Sequence, residues 1–179
     1  MTGVMRFVFG LVVSVTAWSL AVRMGPIFAP VFDPLLVLVV YLAVRQGVAG
    51  RPTGPLTCAF AGSVAGLVHD ALTGGRLGLY GFADTLVAWT VAKVQQRMVI
   101  QQPLQIGLVG VLASAFQLTV LAFLQFLLVP SGQLPTLGSA VLRIAICGVL
   151  LVAVHLLAEQ LRIRYARWRE KRWSRLRFD

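Results

Sequence analysis

The chain has 179 residues, of which 58% are hydrophobic and only 12% charged, with 16 Lys+Arg against 6 Asp+Glu and a net charge of +10. A soluble domain carries about 25% charged residues, and the mean hydropathy of +0.84 lies far on the apolar side. Ten of the charged residues fall after residue 160, so a soluble globular domain and a disordered chain are both excluded, and an all-α polytopic membrane protein with a basic tail is left.

The first apolar run covers residues 7–22, between Arg6 and Arg23. We read it as a retained helix, because a cleaved signal has a shorter apolar region and a small-residue cleavage site. The second run covers 26–44. Pro26, Pro30 and Pro34 make 26–33 irregular, and a solid helix is expected over 34–44, with Pro34 in its first turn and Asp33 as its N-cap. A polar loop with Arg45 and Arg51 leads to a third run over 56–72. Thr73-Gly74-Gly75-Arg76 forms a tight turn. The fourth run, 77–92, is interrupted by Asp84. A loop with Lys93 and Arg97 precedes the fifth, 104–129, which is long enough to span with tilt. The sixth, 137–158, carries Arg143 and His155.

Six spans of roughly 20 residues fit this length with short loops and one tail. Residues 1–159 are therefore expected as one six-helix transmembrane domain, and 160–179 as a basic tail. The positive-inside rule orients it. With both termini cytoplasmic, Arg6, Arg45, Arg51, Lys93, Arg97 and the eight basic tail residues lie inside, and Arg23 and Arg76 outside. Basic residues beside apolar spans set topology and meet anionic lipid, so nucleic acid is excluded as a partner. The tail bears Arg162, Arg164, Arg167, Trp168, Arg169, Lys171, Arg172, Trp173, Arg175 and Arg177, a composition that suits an interfacial helix on the anionic cytoplasmic leaflet.

Charged groups inside a span are costly unless paired or facing a cavity. Helix rise puts Asp84 and Arg143 at similar depth, so Arg143 is expected to pair with Asp84, with Asp70 as second choice. A structural ion pair is favoured over a substrate cavity, which needs more converging polar groups. Ser114 and Gln117 share a face of the fifth helix and can bond across helices. Cys58 and Cys147 lie in apolar runs and read as packing residues. No G-x-S-x-G, H-E-x-x-H or Walker-type pattern occurs. His69 and Asp70 are adjacent on a helix and so point apart. No catalytic residue, cofactor or metal is expected.

Gly62-Ser63-Val64-Ala65-Gly66 is a small-xxx-small face, which serves either a partner helix or packing within the bundle; the second is favoured. The stretch Gly66-Leu67-Val68-His69-Asp70, a glycine-rich turn, then Leu77-Gly78-Leu79-Tyr80-Gly81 resembles the bacterial rod shape-determining protein MreD family. That family shows a G-L-x-x-D stretch, a glycine-containing turn and an L-G pair opening the next helix, and Gly62 also matches. Ser63 and Trp89 depart from it, standing where phenylalanine and tyrosine are common.

The resemblance implies a noncatalytic inner-membrane scaffold of the cell-wall elongation machinery. Its implied partners are the membrane-anchored periplasmic protein MreC and, directly or through MreC, the glycosyltransferase RodA and a class B penicillin-binding transpeptidase. The actin-like MreB filament is a further one. The implied fold is similar to the six-helix substrate-binding subunits of energy-coupling-factor vitamin transporters. Such a small-molecule binder is the alternative function. On the scaffold reading, Gly62, Gly66, Leu67, Asp70, Leu77, Gly78 and Gly81 are the expected partner-binding or helix-packing residues.

Overall fold

The computed structural model describes residues 3–25, 31–48, 54–74, 77–98, 102–128 and 136–175. They form six helices and no strand: α1 (Gly3–Met24), α2 (Pro34–Val48), α3 (Gly54–Thr73), α4 (Leu79–Arg97), α5 (Pro103–Leu128) and α6 (Leu137–Arg175). Helices α1, α3, α5 and α6 contain stretches long and apolar enough to cross a membrane. Large apolar side chains face outward around them, among them Phe9, Phe60, Phe123, Phe126 and Val149. Such a coat suits hydrocarbon rather than water, and the chain is a helical membrane protein.

The remaining two helices complete the interior. Helix α2 has 15 residues, about 22 Å at 1.5 Å per residue, which is short of a 30 Å hydrocarbon layer. It can be short because protein surrounds it. It packs against all five other helices, and Leu35, Leu36, Val40 and Ala43 are wholly buried. Its start follows from local chemistry. Pro34 occupies the first turn, and Asp33 Oδ1 accepts from the Leu36 N–H at 3.0 Å, satisfying one of the free donors there. Helix α4 is less apolar because it carries Asp84 and Gln95, both turned inward, and Lys93, Gln96 and Arg97 at its C-terminal end.

Helices α3 and α4 form the most extensive pair, and glycine is the reason. A Cβ on Gly62 would fall 2.5 Å from the Asp84 carbonyl oxygen, and one on Gly66 would fall 2.6 Å from Gly81 Cα and against the Tyr80 carbonyl. Backbone touches backbone there, the packing expected of small residues in lipid. Helices α5 and α6 repeat the device, for a Cβ on Gly110 would fall 3.2 Å from Gly148 Cα. Gly66→Ala is expected to cost about 1–3 kcal/mol, because the obstructing atoms are backbone and cannot swing aside. Gly138, with open space around its Cα, is the control. Thermal unfolding in detergent measures both, and a Gly66→Ala protein as stable as Gly138→Ala would contradict the contact.

Helix α6 runs unbroken for 39 residues, from Leu137 to Arg175. The tail is therefore not a separate interfacial helix beginning at residue 160, at least through Arg175; it continues the last span. No Gly or Pro falls between residues 149 and 175, and the Leu, Arg, Glu and Lys of the tail are good helix formers. Leu161, Arg162, Arg164, Tyr165, Arg167 and Trp168 are exposed. The side chains of Arg169, Lys171, Arg172, Trp173 and Arg175, and all of Arg177, lie outside the described residues, as do Arg51, Arg76, Pro26 and Pro30.

Candidate functional site

At the end of the bundle where α1, α3 and α5 finish, polar side chains converge from five elements. Asp33 enters from the start of α2, His69 from α3, Tyr80 and Asp84 from α4, Gln117 from α5 and Arg143 from α6. All but Tyr80 are buried. Arg143 Nη2 lies 2.5 Å from Asp33 Oδ2 and donates to Gln117 Oε1 at 2.9 Å. The Gln117 amide donates to Asp84 Oδ1 at 2.6 Å and to Asp33 Oδ2 at 3.4 Å. One amide thus joins two carboxylates and a guanidinium, the arrangement that makes buried charge tolerable.

This corrects the expected pairing. Arg143 is paired with Asp33 rather than with Asp84 or Asp70. The depth argument places Asp84 and Arg143 near each other, but Gln117 stands between them. Asp33 has two roles, capping α2 and neutralising Arg143, and only the first is readable from its neighbours in sequence.

Asp70 works elsewhere. Its carboxylate accepts from the N–H groups of Gly78 at 2.7 Å, Tyr80 at 3.1 Å and Gly81 at 3.3 Å. It therefore caps α4 from the neighbouring helix, supplying what Gly78 cannot. Gly78 has φ +104°, a conformation glycine adopts without steric cost. Leu67 covers Gly81. Gly62, Gly66 and Gly81 are consumed by the α3–α4 contact, so they are not free to receive a partner's helix. These three glycines pack the bundle, and the expected partner-facing role does not fall to them. Leu77 is 76% exposed at the turn.

The α3–α4 lock fixes a cleft. His69 stacks on Tyr80 with ring centroids 4.0 Å apart and planes 12° from parallel. His69 Nδ1 lies 3.5 Å from Asp33 Oδ1, and the Arg143 guanidinium carbon lies 5.8 Å from the Tyr80 ring centre, within cation–π range. Trp18, Phe32 and Thr73 complete the walls of a cleft of about 310 Å³. It combines an aromatic wall with an ionic floor, so it suits amphipathic groups that bring both apolar surface and hydrogen-bonding atoms. Sequence reasoning missed Trp18, Phe32 and Asp33 as members. Ser114 is buried about one turn from Gln117 on α5, and His155 lies about three turns beyond Arg143 on α6. Among the described residues no group of three or more His, Cys, Asp or Glu could hold a metal. Cys58 and Cys147 are buried and unbridged, and Cys58 Sγ donates to Gln46 Oε1 at 3.3 Å.

Compared with known proteins, the chain matches no family model, no curated protein and no solved structure.

Proposed function

We propose that this protein is a noncatalytic membrane scaffold of the MreD type, holding a membrane-anchored periplasmic partner of the MreC kind and, through it, the cell-wall synthase. The observation that carries the reading is that the residues behind the resemblance act as one device. Gly62 and Gly66 seat α3 on α4, Asp70 caps α4, and together they hold His69 and Tyr80 at the cleft. The motif has a physical purpose beyond packing, which is to build the surface at that end of the bundle.

On this reading six crossings put both termini in the cytoplasm, and the cleft opens to the periplasm. A partner rising from the membrane there would present the chain flanking its own anchor, and the cleft is the recessed, chemically mixed surface available to it. Aromatic and arginine side chains in recessed pockets are the usual energetic centres of interfaces. Trp18→Ala and Thr73→Arg alter the cleft wall without touching the ionic network. Each is expected to lower recovery of the MreC-type partner about tenfold or more, while Phe60→Ala, on the outward face of α3, leaves it unchanged. Undiminished recovery with both cleft variants would remove the cleft from the interface.

The cleft also favours a second reading, a small-molecule binder with a fold similar to the substrate-binding subunits of energy-coupling-factor transporters. Its volume lies at the low end for a ligand pocket. A bound small molecule released on denaturing the purified protein would support that reading.

A further inference from the structure

The opposite end of the bundle carries a second cluster of polar side chains, independent of the cleft and of the scaffold reading. Arg6 stands one turn before Gly10, where α1 meets α2 so closely that a Cβ would lie 2.5 Å from Leu38 Cδ1. That contact sets Arg6 beside the last turns of α2, which bear Tyr41 and Arg45. The Arg45 guanidinium carbon lies 5.4 Å from the centre of the Tyr41 ring. Glu159 of α6 reaches Arg45 at 3.9 Å and Arg162 at 3.1 Å. Arg45, Glu159, Arg162 and Arg6 all stand near enough to Tyr41 for their charges to be felt at its phenol. Three helices thus bring three guanidinium groups and one carboxylate near one tyrosine, and among these described residues the positive charges outnumber the negative by two. Arg45 and Arg162 are 35% and 69% exposed, so an incoming anion can reach them.

Helix α1 packs chiefly on α2, and α6 also packs on α2. Neither makes comparable contact with the other, yet both reach the arginine cluster, α1 through Arg6 and α6 through Arg162. Guanidinium groups match phosphate in geometry as well as charge.

We propose that Arg6, Arg45 and Arg162, with the Tyr41 hydroxyl, bind the phosphate of an anionic phospholipid whose acyl chains lie against the exposed apolar faces of α1 and α6. The lipid neutralises the excess charge and ties α1 to the rest of the bundle. The occupant is a lipid rather than a soluble anion because the arginines lie beside helices whose outward apolar side chains, Phe9 of α1 and Leu157 of α6 among them, face hydrocarbon.

The test is native mass spectrometry of the purified full-length protein in detergent, titrated separately with phosphatidylglycerol, phosphatidylcholine and inorganic phosphate. Phosphatidylglycerol is expected to stay bound where the other two do not. A basic residue at a membrane surface contributes about 1 kcal/mol, or about fivefold in affinity. Arg6→Gln, at an exposed helix start, is therefore expected to weaken phosphatidylglycerol binding about fivefold, and Arg45→Gln with Arg162→Gln about thirtyfold. Arg164→Gln with Arg167→Gln removes the same charge farther along α6 and is expected to weaken it less than threefold. Equal binding of the two lipids would overturn the proposal, as would equal binding of inorganic phosphate. Equal losses from the two double variants would do so too, because they would mark a diffuse basic surface. Should Arg45→Gln/Arg162→Gln not fold, Arg6→Gln alone decides, and unchanged binding by that variant overturns the site.

Discussion

Arg143→Leu is expected to destabilise the protein by about 3–5 kcal/mol, the usual cost of stranding one member of a buried ion pair. Asp33, only 4% exposed, would lose its guanidinium partner. Adding Asp33→Asn should recover most of the loss. Asparagine keeps the side-chain oxygen that accepts from the Leu36 N–H, so the cap of α2 survives while the charge goes. Adding Asp84→Asn to Arg143→Leu should recover much less, because Asp84 is held by the Gln117 amide and not directly by Arg143. Thermal unfolding in one detergent measures all three. Equal recovery from the two carboxylate changes, or none from Asp33→Asn, would contradict the assigned pair.

Asp70→Ala should cost nearly as much, about 2–4 kcal/mol, because three backbone N–H groups lose their acceptor at once. Asp70 is 1% exposed, and water reaches that position poorly. Asp70→Asn keeps one carbonyl oxygen and is expected to fall between alanine and wild type. The effect should extend to the cleft. Tyr80 and Gly81 are among the residues whose N–H groups Asp70 holds, so the first turn of α4 would loosen and the Tyr80 ring would leave its stack on His69. Recovery of the partner should then fall more with Asp70→Ala than with Gly66→Ala, for the same loss of stability. A wild-type unfolding temperature in Asp70→Ala would contradict the cap.

These two predictions mark where sequence and structure part. The helices themselves are legible, because apolar runs between charged loops are a strong signal, and the start of α2 follows from Asp33-Pro34. The α3–α4 glycines are legible as a close-packing face, but which helix they face is not. Four-residue spacing fits an external partner and an internal one equally well, and the choice depends on where α4 lies. The matching face of α5 and α6, Gly110 on Gly148, lacks the second glycine at four-residue spacing that marks Gly62 and Gly66. Depth along the helix brings Asp84 and Arg143 to one level, but depth carries no rotation. It cannot say that Gln117 stands between Asp84 and Arg143, or that Asp33, 110 residues from Arg143 in sequence, is the residue that reaches it. The end of α6 is misplaced for a related reason. Hydropathy falls sharply at residue 159, but backbone hydrogen bonding is indifferent to that change and the helix continues.

The scaffold reading rests on one association, and the most direct measurement of it is recovery of the tagged full-length protein from its own host in mild detergent, with the bound proteins identified by mass spectrometry. The account predicts a membrane-anchored periplasmic protein of the MreC kind together with a wall glycosyltransferase and a class B transpeptidase. Recovery of transporter ATPases, or of a bound small molecule with no wall-synthesis protein, would contradict it.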